Sequence, residues 1–241
     1  MMAPRMLNTC LAFGCLVCGL VASGLIAHAQ DAAVPPSPSV DDYLTLFDGS
    51  SLDHWRGYRQ ERIGRGWKIE EGVLHFDGSG GGDIVTRDEF SDFELIFSWK
   101  VAEGANSGVM YRVSLGDQAP YLTGPEYQIL DDQKHADGRN PMTSAASLYG
   151  LYAPENKVLK PVGEWNEAKI RVEGNRIEHW LNGEKVVDCE IGSDDWNHRV
   201  ANSKFAQWDR FATNRSGHIC LQDHGDRIWF RDIKIRVIPG K

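Results

Sequence analysis

Cysteine is nearly absent from most of this chain. Of five in 241 residues, only Cys189 and Cys220 follow residue 29. Beyond that point there is no CxxC pair and no Cys/His cluster at zinc spacing, so a structural zinc site is not supported. Two thiols allow at most one disulfide. Both lie in apolar runs, Val186 to Cys189 and Ile219 to Leu221, which suits a pair of buried free thiols at least as well. Positive charge is also in short supply, with Lys+Arg 26 against Asp+Glu 34. Phosphate backbones are held by clustered Lys and Arg, so no nucleic-acid partner is expected. The glycines from Gly78 to Gly82 lack the GxGxxG order and open no helix, and no GxSxG elbow occurs, which excludes the usual dinucleotide loop and the α/β-hydrolase nucleophile.

A long hydrophobic run occurs once, from Leu11 to Ile26. Arg5 is the only charged residue before Asp31, and the run is broken by Gly14, Gly19, Ser23 and Gly24 before ending in Ala27-His28-Ala29. This small-x-small ending after a short apolar core is the pattern of a cleaved secretory leader, residues 1–29, and favours it over a transmembrane anchor. Loss of Arg5 with the leader takes the formal charge from −8 to −9. Residues 30–41 carry Pro35, Pro36 and Pro38 and read as an extended spacer. The expected organisation is therefore a leader, a Pro-rich linker and a single domain over 42–239. The protein is expected to be exported, periplasmic or secreted, and not membrane-bound after cleavage.

What fills the domain is short alternating segments between Gly, Asn and Asp. Phe93, Leu95, Phe97, Trp99 and Val101 alternate with Glu94, Ser98 and Lys100, as in a half-buried strand. Residues 165–191 read as a three-stranded meander turning at Gly174-Asn175 and Asn182-Gly183, because Asn-Gly supplies the positive φ that a tight hairpin needs. His218 to Asp223 and Ile228 to Val237 add two closing strands. Helical periodicity is missing throughout; Trp196 to Phe211 reads as a loop with room for one helical turn. The expected fold is all-β, two packed antiparallel sheets in one domain, with an up-and-down barrel as the alternative.

Strand parity turns this reading toward chemistry. With Val109, Tyr111 and Val113 facing the core, Asn106, Met110 and Arg112 point the other way. By the same rule Glu126 and Gln128 oppose Tyr127 and Ile129, and His218, Gln222 and His224 oppose Ile219 and Leu221. Neighbouring strands would then form a polar floor with one carboxylate and one imidazole. Each member could also be a solvated surface or turn residue. Of the eight tryptophans, most belong in a core, and two or three at most are expected at a site. Asp131, Asp132, His135 and Asp137 form an oxygen-rich loop where a structural calcium could sit, but the EF-hand spacing is absent and no cofactor or metal is expected.

Eight stretches in order then carry a resemblance: Leu46 to Trp55, Asp92 to Leu95, Asn106 to Val109, Glu126 to Asp131, Leu148 to Pro154, Gly163 to Asn166, Trp180 to Gly183, and Leu221 to Gly225. Together they resemble the bacterial 3-keto-disaccharide hydrolase-like domain family, over about Leu44 to Val237. The resemblance implies a concanavalin A-like jelly-roll sandwich, export, and action on glycosides whose sugar is oxidised at C3. It departs from the family pattern at Thr143 to Tyr149, where the family more often reads Thr-Gly-Ala-Leu-Tyr.

A C3 ketone acidifies the hydrogen at C2, so one base and one acid suffice to eliminate the C1 substituent, and water can then add. Glu126 and His224 are the catalytic candidates, with their roles left open. Asn106, Arg112 and Gln128 are candidates to bind the enolate oxygen or sugar hydroxyls, and Tyr149 and Trp165 to wall the pocket. Two alternatives stand beside this reading. One is a glycosidase pairing Glu126 with Asp131 or Asp223, which parity disfavours. The other is a sugar-binding module without catalysis.

Overall fold

The computed structural model describes residues 42–239; the expected leader and the whole of the expected linker lie outside the described residues. The strands are β1 (Leu44–Phe47), β2 (Trp55–Gly57), β3 (Trp67–Glu70), β4 (Val73–Phe76), β5 (Ile84–Thr86), β6 (Phe93–Val101), β7 (Asn106–Val113), β8 (Glu126–Leu130), β9 (Asn166–Glu173), β10 (Arg176–Leu181), β11 (Glu184–Glu190), β12 (His218–Leu221) and β13 (Ile228–Val237). They form two sheets. The larger runs β11-β10-β9-β6-β13-β4-β3, with β1 also paired to β13, and the smaller runs β2-β5-β12-β7-β8. Every pairing between these strands is antiparallel.

The sheets pack face to face through the apolar parity of their central strands. Phe97 of β6 meets Tyr127 of β8 edge-on at 5.8 Å, and Phe93 meets Tyr111 of β7 at 6.2 Å. Ile219 and Leu221 of β12 and Phe230, Ile233 and Ile235 of β13 are buried in the same cluster. This is the sandwich, and not the barrel, of the two architectures the sequence allowed. The meander turns as its residues require: Asn182 and Gly183 take φ of 50° and 90°, the positive pair of a type I′ hairpin.

Three local readings are corrected. First, β7 does not keep strict alternation to its end. Arg112 takes φ of 52°, and the β7–β12 register shifts between Cys220↔Met110 and His218↔Val113. The extra residue reverses parity beyond it. Val113 therefore leaves the main core and joins Val85, Met110 and Cys220 on the outer face of the small sheet, beneath Tyr58 and Leu115. Second, the segment read as a loop contains α1 (Asp194–Ala201), followed by a 3-10 turn at Lys204–Gln207. Ser193 caps α1 by accepting from Trp196 N at 3.2 Å. Trp196 is its one buried residue, so no apolar repeat marks it in the sequence. Third, His218 does not face solvent. It is buried, with Nδ1 2.7 Å from the Thr86 carbonyl.

The two cysteines are free and buried in different apolar clusters, Cys189 in the main core and Cys220 beneath Tyr58. Burial pushes the Cys189 thiol up to about 12.

Candidate active site

The strand order explains how the polar residues meet. In the small sheet β7 lies between β8 and β12, and Gly108 pairs with Gln128 on one side while its carbonyl accepts from Gln222 N at 3.0 Å on the other. Residues facing away from the core on these three neighbours converge on one cavity of about 180 Å³. It is lined by Asn106, Tyr121, Glu126, Gln128, Tyr149, Lys204, Gln222 and His224. Of the residues expected at the site, Glu126, His224, Asn106, Gln128 and Tyr149 are brought together here.

Glu126 lies across the backbone of β7. A Cβ on Gly108 would stand 1.9 Å from Glu126 Oε1, so glycine is what leaves room for the carboxyl. The side chain opens only partly to the cavity, and its surroundings desolvate it. Burial raises its pKa to about 8, reinforced by the charges of Asp83 and Asp137 and opposed by Lys204. At neutral pH the group is mostly protonated, the state of a general acid. Asp83, beside the site, is a second raised carboxyl, pushed up to about 6 chiefly by burial while it accepts from Asp223 N at 2.9 Å.

His224 sits at the mouth, with its side chain 48% exposed. Its Nε2 is 3.5 Å from Asn106 Nδ2 and its Nδ1 is 3.9 Å from Asp226 Oδ2. As a hydrogen bond this contact needs the tautomer in which Nε2 accepts, because Asn106 Nδ2 can only donate. Asp226 also accepts from the Asn106 backbone N–H at 3.0 Å, fixing both residues from behind. In the sequence Asp226 stands only as the last of the turn formers Asp223 to Asp226, before the final strand. Its role shows only when the β12–β13 connection folds against β7.

The floor offers acceptors without donors. Asn106 Oδ1, Gln128 Oε1 and Gln222 Oε1 are buried and have no hydrogen-bond partner. Gln128 is held through Nε2, which donates to the Thr143 carbonyl at 3.2 Å. Buried acceptors left empty are costly, so such a triad suits a ligand bearing several hydroxyl donors. Tyr149 is placed by its backbone N–H, which donates to the Glu126 carbonyl at 3.0 Å, and its hydroxyl donates to Asp137 Oδ2 at 3.3 Å. The departing segment Thr143 to Tyr149 thus lies along β8, with Ala146 at φ of 67° and its N–H donating to the Gln128 carbonyl.

Two expected site residues are elsewhere. Arg112 is 3% exposed and far along β7; its guanidinium pairs with Asp92 at 3.0 Å and donates to the Ser91 carbonyl at 2.9 Å. The bulge at its own position turns it away from the pocket. Trp165 lies outside the pocket, where Lys100 of β6 and Arg231 of β13 stack on its ring at 5.0 and 4.3 Å. No tryptophan lines the pocket, whose aromatic walls are Tyr121 and Tyr149. Asp131 and Asp223 are engaged with backbone: Asp131 accepts from Gly104, Gln133 and Lys134, and Asp223 from Gly82 and Gly225. Asp132 pairs with Lys157 at 2.6 Å. Among the described residues no group of three or more His, Cys, Asp or Glu converges to hold a metal ion.

Sequence reasoning missed Lys204 and Tyr121. The available signal for Lys204 was the aromatic spacing Phe205, Trp208 and Phe211, every third residue. Those rings pack together, Phe205 on Phe211 at 4.0 Å and on Trp208 at 5.4 Å, and mount Lys204 at the cavity rim.

The fold is a jelly-roll sandwich with a small polar pocket on the free face of one sheet, holding a carboxyl, an imidazole and three amide oxygens. The non-specific endo-β-1,3(4)-glucanase SCLam shares this fold at a TM-score of 0.51 and 10% identity, covering 83% of this chain and 93% of that one. Residues 42–236 match the model of the 3-keto-alpha-glucoside-1,2-lyase-like domain, and the chain belongs to that family. It is 36% identical, over 82% of this chain and 79% of the relative, to the 3-keto-disaccharide hydrolase of Bacteroides thetaiotaomicron. A crystal structure from Parabacteroides distasonis, of a protein provisionally described as a glycosyl hydrolase, superimposes with a TM-score of 0.78 at 32% identity, covering 83% of this chain and 95% of that one. The chain is thus a hydrolase of the glycoside-cleaving kind, with a sugar as substrate.

Proposed function

We propose that the pocket binds a glycoside oxidised to a ketone at C3 and cleaves its glycosidic bond by elimination followed by hydration. The observation that carries this reading is the meeting, in one small cavity, of the desolvated Glu126 carboxyl with the His224 imidazole. His224 takes the proton from C2, and the electron pair passes to the C3 oxygen as an enolate. The enolate collapses back to the ketone, the C1–C2 double bond forms, and the C1–O bond breaks. Glu126 gives its proton to the departing oxygen. Water then adds across the double bond, hydroxyl at C1 and hydrogen at C2, leaving the free 3-keto sugar. Asn106, Gln128 and Gln222 hold the ring hydroxyls through their unpartnered oxygens.

An ordinary glycosidase would need a second carboxylate in place, and the two candidates for it, Asp131 and Asp223, are committed to backbone N–H groups instead. Incubation with a 3-keto-glucoside and with its unoxidised parent in deuterated water separates the mechanisms. The expected result is cleavage of the keto sugar only, with deuterium at C2 of the product. Cleavage of the parent, or product without deuterium at C2, overturns the elimination route. The steps use side chains alone, so the rate should be unchanged by a chelator. The protein is proposed to act after export, which sequencing of the mature N-terminus from a periplasmic or culture fraction checks.

A further inference from the structure

We propose that Lys204 is a further catalytic residue, resting on the function proposed above: its ammonium contacts the C3 oxygen of the bound keto sugar and stabilises the enolate formed there. Three observations lead to it. Lys204 lines the same cavity as Glu126 and His224. Among the described residues its ammonium has no carboxylate at ion-pairing distance; it lies over the ring of Tyr149 at 4.3 Å. Lys68, Lys157 and Lys185, by contrast, are each held by an aspartate at 2.6 Å. Lys204 is exposed at the rim of the cavity, so its ammonium is free to meet an anion formed there, and the anion that the first step forms on the sugar is the enolate.

The mounting is rigid. The Lys204–Gln207 turn is capped by Ser203, whose Oγ accepts from Phe205 N at 3.1 Å, and Phe205 stacks on Phe211. Charge fixed in place before the reaction stabilises a transition state without reorganisation, which is why such contacts are often the largest single contribution. A compact ammonium suits a single oxygen better than a planar guanidinium does. Burial lowers the pKa of Lys204, opposed by Glu126 once that carboxyl has lost its proton and by Asp137. The same contact would select for oxidised sugars, since an unoxidised ring develops no charge at O3.

The test is steady-state kinetics of the full chain on a 3-keto-glucoside, comparing wild type with Lys204→Met, Lys204→Gln and Lys204→Arg. Removing one such contact should lower kcat by roughly 10²–10³-fold, with KM changed by less than about fivefold and the melting temperature retained, and Arg should recover part of the loss. Using both Met and Gln guards against one variant failing to fold. A kcat within about threefold of wild type in either folded variant, or a loss confined to KM, overturns the proposal. So does borohydride trapping of the sugar on Lys204, which would make it an imine-forming nucleophile instead. A wild-type protein inert toward the keto sugar overturns the function proposed above together with this role, whereas an active wild type with an active Met variant rejects the Lys204 role alone.

Discussion

The Glu126 carboxyl rests directly over Gly108, with room for no more than a hydrogen: a Cβ there would stand 1.9 Å from Oε1. Gly108 has no positive φ, so alanine is tolerated by the backbone and the displaced group is the end of a flexible side chain. Gly108→Ala should leave the melting temperature nearly unchanged and lower kcat/KM by roughly 10²-fold, about the contribution of one positioned acid. Activity close to wild type in a folded variant would show that the position of Glu126 over β7 does not matter.

The raised pKa of Glu126 has a thermodynamic signature. The native carboxyl holds its proton up to about pH 8, while in the unfolded chain it loses it near the ordinary value of 4.5. Between those values the native state binds more protons than the unfolded state, so this group's contribution to stability falls as pH rises. Glu126→Gln removes that dependence. The variant should gain on wild type between pH 5 and 9, by about 4 kcal/mol, in denaturant titrations at the two pH values. It should be inactive at every pH, and wild-type turnover should decline above about pH 8 as the acid is lost.

Asp226 is placed to act through His224 and Asn106. Asp226→Asn keeps the shape but removes the charge 3.9 Å from His224 Nδ1. A loss of roughly ten- to a hundredfold in kcat, with the fold retained by circular dichroism, is expected of a group that orients a base. His224→Ala should cost more, and a double variant should be little worse than His224→Ala, since the charge then has no imidazole to orient while the amide oxygen of Asn can still accept from the Asn106 backbone N–H.

Arg112 and Trp165 should separate stability from activity. Arg112→Ala strands Asp92 beside a buried space and should destabilise the protein by about 3 kcal/mol, read by urea titration. Its folded fraction should keep the wild-type kcat/KM. Trp165→Ala, outside the pocket, should alter turnover by less than about twofold and cost little stability.

Much of this architecture was legible along the chain. Strand alternation placed Glu126 and Gln128 on one face because β8 has no irregularity, and Asn182-Gly183 marked its hairpin because few residues accept positive φ at both positions. The eight ordered motifs pointed to the family that the comparisons then showed. Arg112 and Val113 were misplaced because a bulge at one residue reverses all later parity, and arginine gives no warning of it. Lys204 and Asp226 were harder to read for another reason: neither lies on an alternating strand, and Lys204 is brought over Tyr149 and Asp226 against Asn106 by residues distant in sequence.

By itself, then, the chain determined the all-β class, the core-facing side of most strands and the identity of the acid and imidazole candidates, because Cβ alternation is a property of each strand alone. Tertiary structure decided which strands became neighbours, and so which of the outward residues share a cavity. It also decided their chemistry: burial at the site keeps the proton on Glu126 against the charge of Lys204, where the same carboxyl on an isolated strand would be ionised.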